Sequence, residues 1–348
     1  MEIGIVGLPS SGKTTIFNAL TGSEAEVTAF SGGRKSPNIA QVQVPDHRLE
    51  KLSAMYNPKK TSPAIIQYVD LGGGLSAQDE KESMDGILRL LRPCDALVHV
   101  VRCFELAGQA PNPQSDFDNF EAELMLTDQM IVERRLERLE KELKKGKKGN
   151  PKEFELLKRA YEILEAGRAL REDEEIRNAP ELKGYTFLSA KPCIVVLNLG
   201  EDDVVEKVEL SLPPEVISVK IKGSLEMELS QLDNEEAELF RQDMGIEEPA
   251  THMLIRESYD LLGLISFFTV GEDEVKAWTI QRGTMAQKAA GRIHSDIERG
   301  FIRAEVVSFQ DLMEAGSYHA AQKAGKVRLE GKDYVVQDGD VINFRFNV

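Results

Sequence analysis

The sequence has few of the residues that stabilise small secreted proteins or bind transition metals. Only three cysteines occur in 348 residues, Cys94, Cys103 and Cys193, and none belongs to a Cys-x-x-Cys pair. Their odd number and their apolar, strand-like surroundings exclude a disulfide scaffold and predict three buried thiols. The five histidines are scattered, and His99 lies inside the apolar run ALVHVVRCF. We therefore expect a core imidazole at this position and no histidine or cysteine metal site.

Long apolar runs and excess positive charge are also missing. No stretch approaches the roughly 20 consecutive apolar residues that span a bilayer. Met1 is followed directly by the strand-like EIGIVGL, without a basic and apolar leader, so we expect a cytoplasmic protein. Lys and Arg number 43 against 59 Asp and Glu, which gives a net charge of -16. This charge excludes a protein that binds nucleic acid over its whole surface but allows a local basic patch.

The first third of the chain alternates strand-like and helix-like segments. Three segments are apolar enough for strands buried on both faces: EIGIVGL, AIIQYVD and CDALVHVVRCF. The segment KTTIFNALTG has a helical pattern that ends at Gly22. A fourth strand of this kind, PCIVVLNLG, follows only after residue 191. Such strands, separated by helices, are typical of parallel sheets. The predicted fold class is therefore α/β, with a doubly wound sheet.

A long helical pattern interrupts these strands at residues 113–185. Apolar residues repeat there at heptad spacing on both sides of the break KKGKKGNP. This pattern predicts an antiparallel helical hairpin, inserted into a sheet domain of residues 1–262. Between Arg134 and Arg159 there are eleven Lys or Arg residues and five Glu. The hairpin is thus a locally basic segment of an acidic chain. Its cations either form a solvated helical face or contact RNA or the ribosome.

The pattern of apolar and polar residues changes again at residues 263–348. Four short strand-like runs appear, with the helical TMAQKAAGRIHSDI between the first two. The runs are EVKAWTI, GFIRAEVVSF, KDYVVQ and DVINFRFNV. They predict a small C-terminal α+β domain.

The most specific motif is the loop GLPSSGKT near the N-terminus. It matches G-x-x-x-x-G-K-[ST] and lies between a strand and a helix, which is the context that confirms a phosphate-binding loop. In such a loop the backbone N–H groups face the β-phosphate, the lysine ammonium bridges β and γ oxygens, and the threonine hydroxyl binds Mg²⁺. We expect a nucleoside triphosphate here, with Lys13 as the catalytic residue. The predicted ligands in the loop are Pro9, Ser10, Ser11, Gly12, Lys13, Thr14 and Thr15.

Two further motifs follow core strands. Asp70 begins a D-x-x-G sequence that ends at Gly73, which predicts a second Mg²⁺ residue and a contact to the γ-phosphate. Asn198, Leu199 and Glu201 follow PCIVVL, where a nucleotide base would be recognised. An Asn amide can pair with the N7 and N6 edge of adenine, and Glu201 replaces the Asp that guanine sites use. We expect ATP to bind at least as well as GTP; pairing of Glu201 with guanine is the open alternative.

With these motifs in place, the chain resembles the YchF or Obg-like ATPase family of translation-factor-related P-loop GTPases over nearly its whole length. The resemblance rests on GIVGLPSSGKTTIFNALT, VPDHRLEKL, HVVRCFE, the Asn-x-x-Glu motif and FFTVGEDEVKAWTIQRGTMAQKAAGRIHSDIERGFIRAEVVSF. It implies an OBG-type G domain, a C-terminal TGS domain of the β-grasp type, and a preference for ATP. It also implies association with the ribosome or RNA, for which the hairpin tip and the TGS domain are the candidate surfaces.

Two segments depart from the family pattern. FSGGRKSPN has Arg34 where the family's Mg²⁺-binding Thr is expected, and GLSAQDEKESMDG is shorter and more acidic than the family's glycine-rich switch. We expect nucleotide binding to persist and hydrolysis to be slow, as in a molecular switch. The alternatives are a nucleotide-dependent binding module with vestigial hydrolysis and a GTP-specific GTPase. A small-molecule kinase is disfavoured because no acceptor-site base or lid motif is visible.

Overall fold

The chain forms two compact units. The first consists of Met1–Ala40 and Gln67–Leu254, and the second of Gln41–Ile66 and Ile255–Val348. The structure is a computed structural model that describes residues 1–22, 38–70, 86, 88–145, 150–203 and 208–347. The predicted domain limits, 1–262 and 263–348, stay a prediction.

Two six-stranded sheets form the centres of these units. The strands, in chain order, are β1 (Glu2–Val6), β2 (Asn38–Gln43), β3 (Lys60–Ser62), β4 (Ile65–Asp70), β5 (Ala96–Arg102), β6 (Cys193–Asn198), β7 (Ile217–Ile221), β8 (Leu264–Thr269), β9 (Glu274–Gln281), β10 (Phe301–Ser308), β11 (Arg328–Glu330) and β12 (Asp340–Phe346). The α-helices whose bounds the structure describes are α1 (Lys13–Thr21), α2 (His47–Tyr56), α3 (Pro113–Lys144), α4 (Pro151–Glu165), α5 (Glu174–Asn178), α6 (Gly223–Gln231), α7 (Asn234–Met244), α8 (Ala250–Leu261), α9 (Ala286–Ile293), α10 (Ser295–Arg299), α11 (Phe309–Ala315) and α12 (Tyr318–Lys323).

The first sheet has the strand order β2-β4-β1-β5-β6-β7. Strand β1 pairs in parallel with β4 and β5, and the pairs β5–β6 and β6–β7 are also parallel. The four apolar runs predicted as core strands form its centre, so the predicted parallel α/β sheet is confirmed. Since the carboxyl ends of parallel strands meet at one edge of a sheet, the phosphate loop, Asp70 and Asn198 arrive at the same edge.

Helices α3 and α4 form the predicted antiparallel hairpin. Val132 of α3 and Leu157 of α4 belong to one buried apolar cluster, as the heptad spacing requires. Arg135 Nε donates to Glu153 Oε1 at 2.8 Å, which joins the later part of α3 to the beginning of α4. Leu143, near the end of α3, is 47% exposed, so the packed stripe ends before the hairpin tip. In the part of the chain that is described, no helix is both long and apolar enough to cross a membrane.

Asp128 anchors the hairpin to the sheet domain. It lies on α3, is fully buried, and accepts hydrogen bonds from the backbone N–H groups of Leu188 and Ser189 at 3.0 and 2.7 Å. The Ser189 hydroxyl donates to the same carboxylate at 2.8 Å. Because a buried carboxylate needs such donors, Asp128 fixes α3 against the segment that leads into β6.

The second sheet has the strand order β11-β10-β12-β8-β9-β3. The predicted strands EVKAWTI, GFIRAEVVSF and DVINFRFNV correspond to β9, β10 and β12. KDYVVQ differs from the prediction, because it makes only an isolated bridge between Met285 and Val335. This segment forms turns instead. Tyr334 N donates to Gly331 O at 3.2 Å, and Gln337 N donates to Asp340 Oδ2 at 2.8 Å.

The motif VPDHRLEKL explains how Gln41–Ile66 joins the second unit. Asp46 caps α2 by accepting from Arg48 N at 2.9 Å. The Arg48 guanidinium also donates to Asp46, and its Nη1 donates to Asp338 Oδ2 at 2.7 Å. The same guanidinium lies 5.3 Å from the ring centroid of Phe268. This bidentate pairing and cation–π contact fasten α2 to β8 and to the turn before β12.

The three cysteines are free and buried, as the sequence predicts. Burial raises the pKa of the Cys94 thiol to about 11 and the pKa values of Cys103 and Cys193 to about 12. These thiols are therefore protonated near neutral pH and act as small apolar groups in the core.

Candidate nucleotide-binding site

The loop between β1 and α1 has a shape that requires glycine at two positions. Gly7 has φ +142° and Gly12 has φ +91°, both in the region that side chains rarely adopt. A Cβ atom at Gly7 would collide with the carbonyl oxygen of Val100, and one at Gly12 would collide with the Asn198 amide. Ser10 also has a positive φ of 61°, which marks a strained backbone of the kind found at binding sites.

Helix α1 begins directly after this loop with free backbone donors. Its N-cap, Gly12, has no side chain, and within the described residues no side-chain hydrogen bond caps the helix. The first-turn N–H groups and the positive end of the helix dipole are therefore available to an anion. Pro9 and Ser10 are exposed, Ser11 is buried and Thr15 is half-buried.

Lys13 lies inside the loop. Its Nζ donates to the carbonyl oxygen of Leu8 at 2.8 Å. Burial lowers the pKa of Lys13 from 10.5 to about 8, and the negative charge of Asp70 opposes this shift. A buried ammonium with a neutral carbonyl as its hydrogen-bond partner would be better stabilised by phosphate oxygens.

Thr14 and Asp70, the two residues predicted to hold Mg²⁺, are joined by a hydrogen bond. Thr14 Oγ1 donates to Asp70 Oδ2 at 2.9 Å, and the Asp70 side chain is fully buried at the end of β4. A hydroxyl and a carboxylate are oxygen donors of the type that Mg²⁺ prefers, so this pair fits that ion. Across the described ranges there is no group of three or more His, Cys, Asp or Glu residues suited to a metal.

Asn198 connects the phosphate loop to helix α6. Its Nδ2 donates to the Ser11 carbonyl oxygen at 2.9 Å, and its Oδ1 accepts from the Gly223 N–H at 3.1 Å. The side chain is only 3% exposed. These contacts give Asn198 a positioning role in the loop. An amide has two N–H groups and two lone pairs, so these two bonds use half of its hydrogen-bonding capacity.

Leu199 and Glu201 have different environments. Leu199 is 3% exposed and belongs to a buried apolar cluster with Val101 and Phe117, so it is a core residue rather than an exposed cover for a base. Glu201 is exposed, and its backbone carbonyl accepts a hydrogen bond from Lys222 Nζ at 2.5 Å. No sequence motif indicates that Lys222 lies beside Glu201, because the two residues are 21 positions apart in the chain. Gly73 and Arg34 lie outside the described residues.

A buried polar cluster lies beside this site on β5. His99 is 1% exposed, and its ring lies 4.5 Å from the Phe120 ring centroid, so the predicted core imidazole is confirmed. Burial, together with the charges of Arg171 and Lys13, lowers the pKa of His99 to about 3. Its Nδ1 is 3.9 Å from Glu121 Oε1, and Arg171 Nη1 donates to Glu121 Oε2 at 2.9 Å. No local pattern in the sequence indicates this ion pair, whose residues lie 50 positions apart.

Family models and known proteins match the chain along its length. A family model described as "50S ribosome-binding GTPase" matches residues 2–147. The C-terminal family model of YchF GTPases, described as a protein of unknown function, matches residues 264–347.

Similar proteins cover the chain from end to end. "Ribosome-binding ATPase YchF" of Bacillus subtilis (strain 168) is 41% identical, with 100% of both chains covered. "Obg-like ATPase 1" of Gallus gallus is 34% identical and covers all of this chain and 92% of its own. The solved structure of the Schizosaccharomyces pombe YchF GTPase is similar, with a TM-score of 0.83, 30% identity, and coverage of 99% of this chain and 97% of that one. A chain with this phosphate loop, this fold and these full-length relatives belongs to the YchF family of P-loop proteins.

Proposed function

We propose that this protein binds a purine nucleoside triphosphate with Mg²⁺, hydrolyses it slowly, and acts as a nucleotide-dependent switch on the ribosome or RNA. The observation that carries the proposal is the convergence at one sheet edge of an uncapped helix N-terminus, a half-buried Lys13 and the Thr14–Asp70 pair. These are the parts needed to hold and polarise a triphosphate.

Different residues of the loop would contact different parts of the triphosphate. The N–H groups of the first turn of α1 would donate to the β-phosphate, and Lys13 would exchange the Leu8 carbonyl for phosphate oxygens. Because the ammonium is buried, its attraction to those oxygens is little screened by water. Asn198 would keep the loop in shape through its bond to Ser11. Lys13 would also stabilise the charge that develops on the transferred phosphoryl group.

Thr14 and Asp70 would hold Mg²⁺, Thr14 as a direct ligand and Asp70 as its outer-shell partner. When bound, the ion neutralises charge on the phosphate oxygens. Gly73 is the candidate contact to the γ-phosphate.

Hydrolysis is expected to be slow. No glutamine stands next to Gly73 to orient water, and Arg34 occupies the place expected for the usual switch threonine, so we expect an intrinsic rate at or below about 10⁻² per second. Steady-state phosphate release measures this rate, with Lys13→Ala as the background control. Turnover well above this value that disappears in Arg34→Ala would contradict the expectation and make Arg34 a compensating cation. Turnover equal to that of Lys13→Ala would favour the binding module with vestigial hydrolysis.

ATP is expected to bind at least as tightly as GTP. A site without the carboxylate that accepts both the N1 and N2 hydrogens of guanine loses about 1–3 kcal/mol of guanine preference. Glu201 is one methylene longer than the usual Asp, and two relatives are named as ATPases. Titrations with non-hydrolysable ATP and GTP analogues in Mg²⁺ buffer give the ratio of their dissociation constants. GTP tighter by tenfold or more would show that Glu201 recognises guanine and would support a GTP-specific GTPase.

The ribosome or RNA is the proposed partner, contacted through the hairpin tip and the C-terminal TGS-like domain. Support comes from the relative named "Ribosome-binding ATPase YchF" and from the basic hairpin. A cytoplasmic location follows from such a partner and stays a prediction.

A further inference from the structure

Helix α7 (Asn234–Met244) exposes large apolar side chains to solvent. Leu239 is 66% exposed, Met244 is 55% exposed and Phe240 is 39% exposed. None of the described side chains of this helix is buried. A helix in a folded protein normally gains most of its stability from burying its apolar side chains. Within the described structure, α7 leaves those side chains uncovered.

Hydrogen bonds at both ends hold α7 in shape instead. Asp233 caps the N-terminus by accepting from the backbone N–H of Glu236 at 2.9 Å. At the other end, Gly245 has φ 65°, and Ile246 N donates to the carbonyl oxygen of Arg241 at 2.9 Å. These contacts satisfy backbone groups that a helix end otherwise leaves without a partner. The helix is therefore preformed, which lowers the entropic cost of binding to it.

Carboxylates lie among the exposed apolar side chains. At about 100° per residue, Leu239, Phe240 and Met244 fall within an arc of about 140° around the helix axis. Glu236 and Asp243 fall within the same arc, and we call these five residues the α7 face. Both carboxylate side chains are exposed, and no described cation lies within 4.0 Å of either.

The single cation of α7 does not neutralise this face. Arg241 lies outside the arc and forms an ion pair with Glu238, which also lies outside it. The next residues of the chain add two more carboxylates, Glu247 and Glu248. The α7 face is therefore both apolar and acidic, on a chain whose net charge is -16.

We propose that the α7 face docks a basic amphipathic helix of another protein. The apolar stripe of such a helix would cover Leu239, Phe240 and Met244, and its Lys or Arg side chains would pair with Glu236 and Asp243. The negative charge disfavours the other candidate occupants, because it repels nucleic acid, anionic membranes and a second acidic copy of this chain. The surface includes no residue of the nucleotide site or of the hairpin, so it goes beyond the proposed function.

The first test removes apolar side chains from the α7 face of the full chain. The apolar variant carries Leu239→Gln and Met244→Gln. Its matched control carries Leu126→Gln and Met130→Gln, because these residues are 54% and 45% exposed on α3 of the same unit. The probe is a synthetic helical peptide of about 14 residues, in which leucines at i, i+3, i+4 and i+7 are flanked by lysines. A peptide with glutamates in place of the lysines is its control.

A second pair of variants removes charge. The charge variant carries Glu236→Gln and Asp243→Asn, and its control carries Glu123→Gln and Glu140→Gln, which are exposed carboxylates on α3. Thermal unfolding and titration with an ATP analogue verify that all four variants fold. Titration calorimetry then measures the binding of each peptide at several salt concentrations.

The lysine peptide should bind the parent saturably, with one peptide per chain, and the glutamate peptide should bind at least tenfold more weakly. The apolar variant should lose at least tenfold in affinity for the lysine peptide, because large apolar side chains provide most of the binding energy of such contacts. The charge variant should lose less affinity at high salt than at low salt, since exposed charges are screened. Both control variants should resemble the parent.

Three results would overturn the proposal. Absence of saturable binding of the lysine peptide to the parent would show that there is no such docking surface. An apolar variant that binds the lysine peptide as tightly as the parent does would show attraction to the overall negative charge only. Equal binding of the two peptides would exclude a role for the carboxylates. The ATP-analogue titration reports the nucleotide site separately, so none of these results depends on the proposed function.

Discussion

Lys13→Ala should weaken the binding of a triphosphate by about 3 kcal/mol or more, which is at least a hundredfold in the dissociation constant. The lysine is the only side-chain cation that the phosphate-loop motif supplies, and it would bridge two phosphate oxygens through charge-assisted hydrogen bonds. Its burial makes each of those bonds stronger than a bond at the surface. Titration calorimetry with a non-hydrolysable ATP analogue in Mg²⁺ buffer measures the change.

Lys183→Ala is the matched control, because it removes an exposed lysine from the same unit. It should bind the analogue like the parent. Since Lys13 also bonds to the Leu8 carbonyl, thermal unfolding should accompany the titration to show that the variant is folded. A folded Lys13→Ala variant with the affinity of the parent would mean that the loop does not hold the triphosphate in the way described.

Arg171→Met should lower the free energy of unfolding by about 3–5 kcal/mol. Arg171 and Glu121 are 3% and 7% exposed, and their ion pair lies in the interior beside His99. Removing the arginine leaves the Glu121 carboxylate buried without its charged partner. Urea unfolding followed by circular dichroism measures the loss.

The control for this prediction is Arg168→Met, which removes a 53% exposed arginine from its pair with Glu172 and should cost about 1 kcal/mol or less. The double variant Arg171→Met with Glu121→Gln should recover part of the loss, because no buried charge then remains unpaired. If Arg171→Met costs no more than Arg168→Met, the buried pair does not contribute to stability as proposed.

Local patterns predicted the parts of this molecule whose contacts are close in sequence or belong to a known motif. The phosphate loop follows from GLPSSGKT because its glycines need positive φ, and the core strands follow from their two-sided apolar runs. Thr14 and Asp70 lie 56 positions apart, and two motifs identified both residues, but their hydrogen bond is seen only in the structure.

Contacts without a local pattern were not predictable. Asn198 reaches Ser11 across 187 positions, and the burial of Leu199 depends on the packing of β5 and α3 around it. Nothing in Gln41–Ile66 indicates that Arg48 pairs with Asp338, 290 positions away. The sequence predicted the basic composition of the hairpin, but only the structure shows which of its cations pair with carboxylates, as Arg159 does with Asp173.

Titration of the unmodified chain with a non-hydrolysable ATP analogue, with Mg²⁺ and then with EDTA, tests whether this sheet edge is a nucleotide site at all. The convergence of the loop, Lys13 and the Thr14–Asp70 pair predicts saturable binding of one analogue per chain, clearly weaker when Mg²⁺ is removed. Saturable binding that is indifferent to Mg²⁺ would contradict the metal role of Thr14 and Asp70. Absence of saturable binding for both ATP and GTP analogues would contradict the assignment of the site.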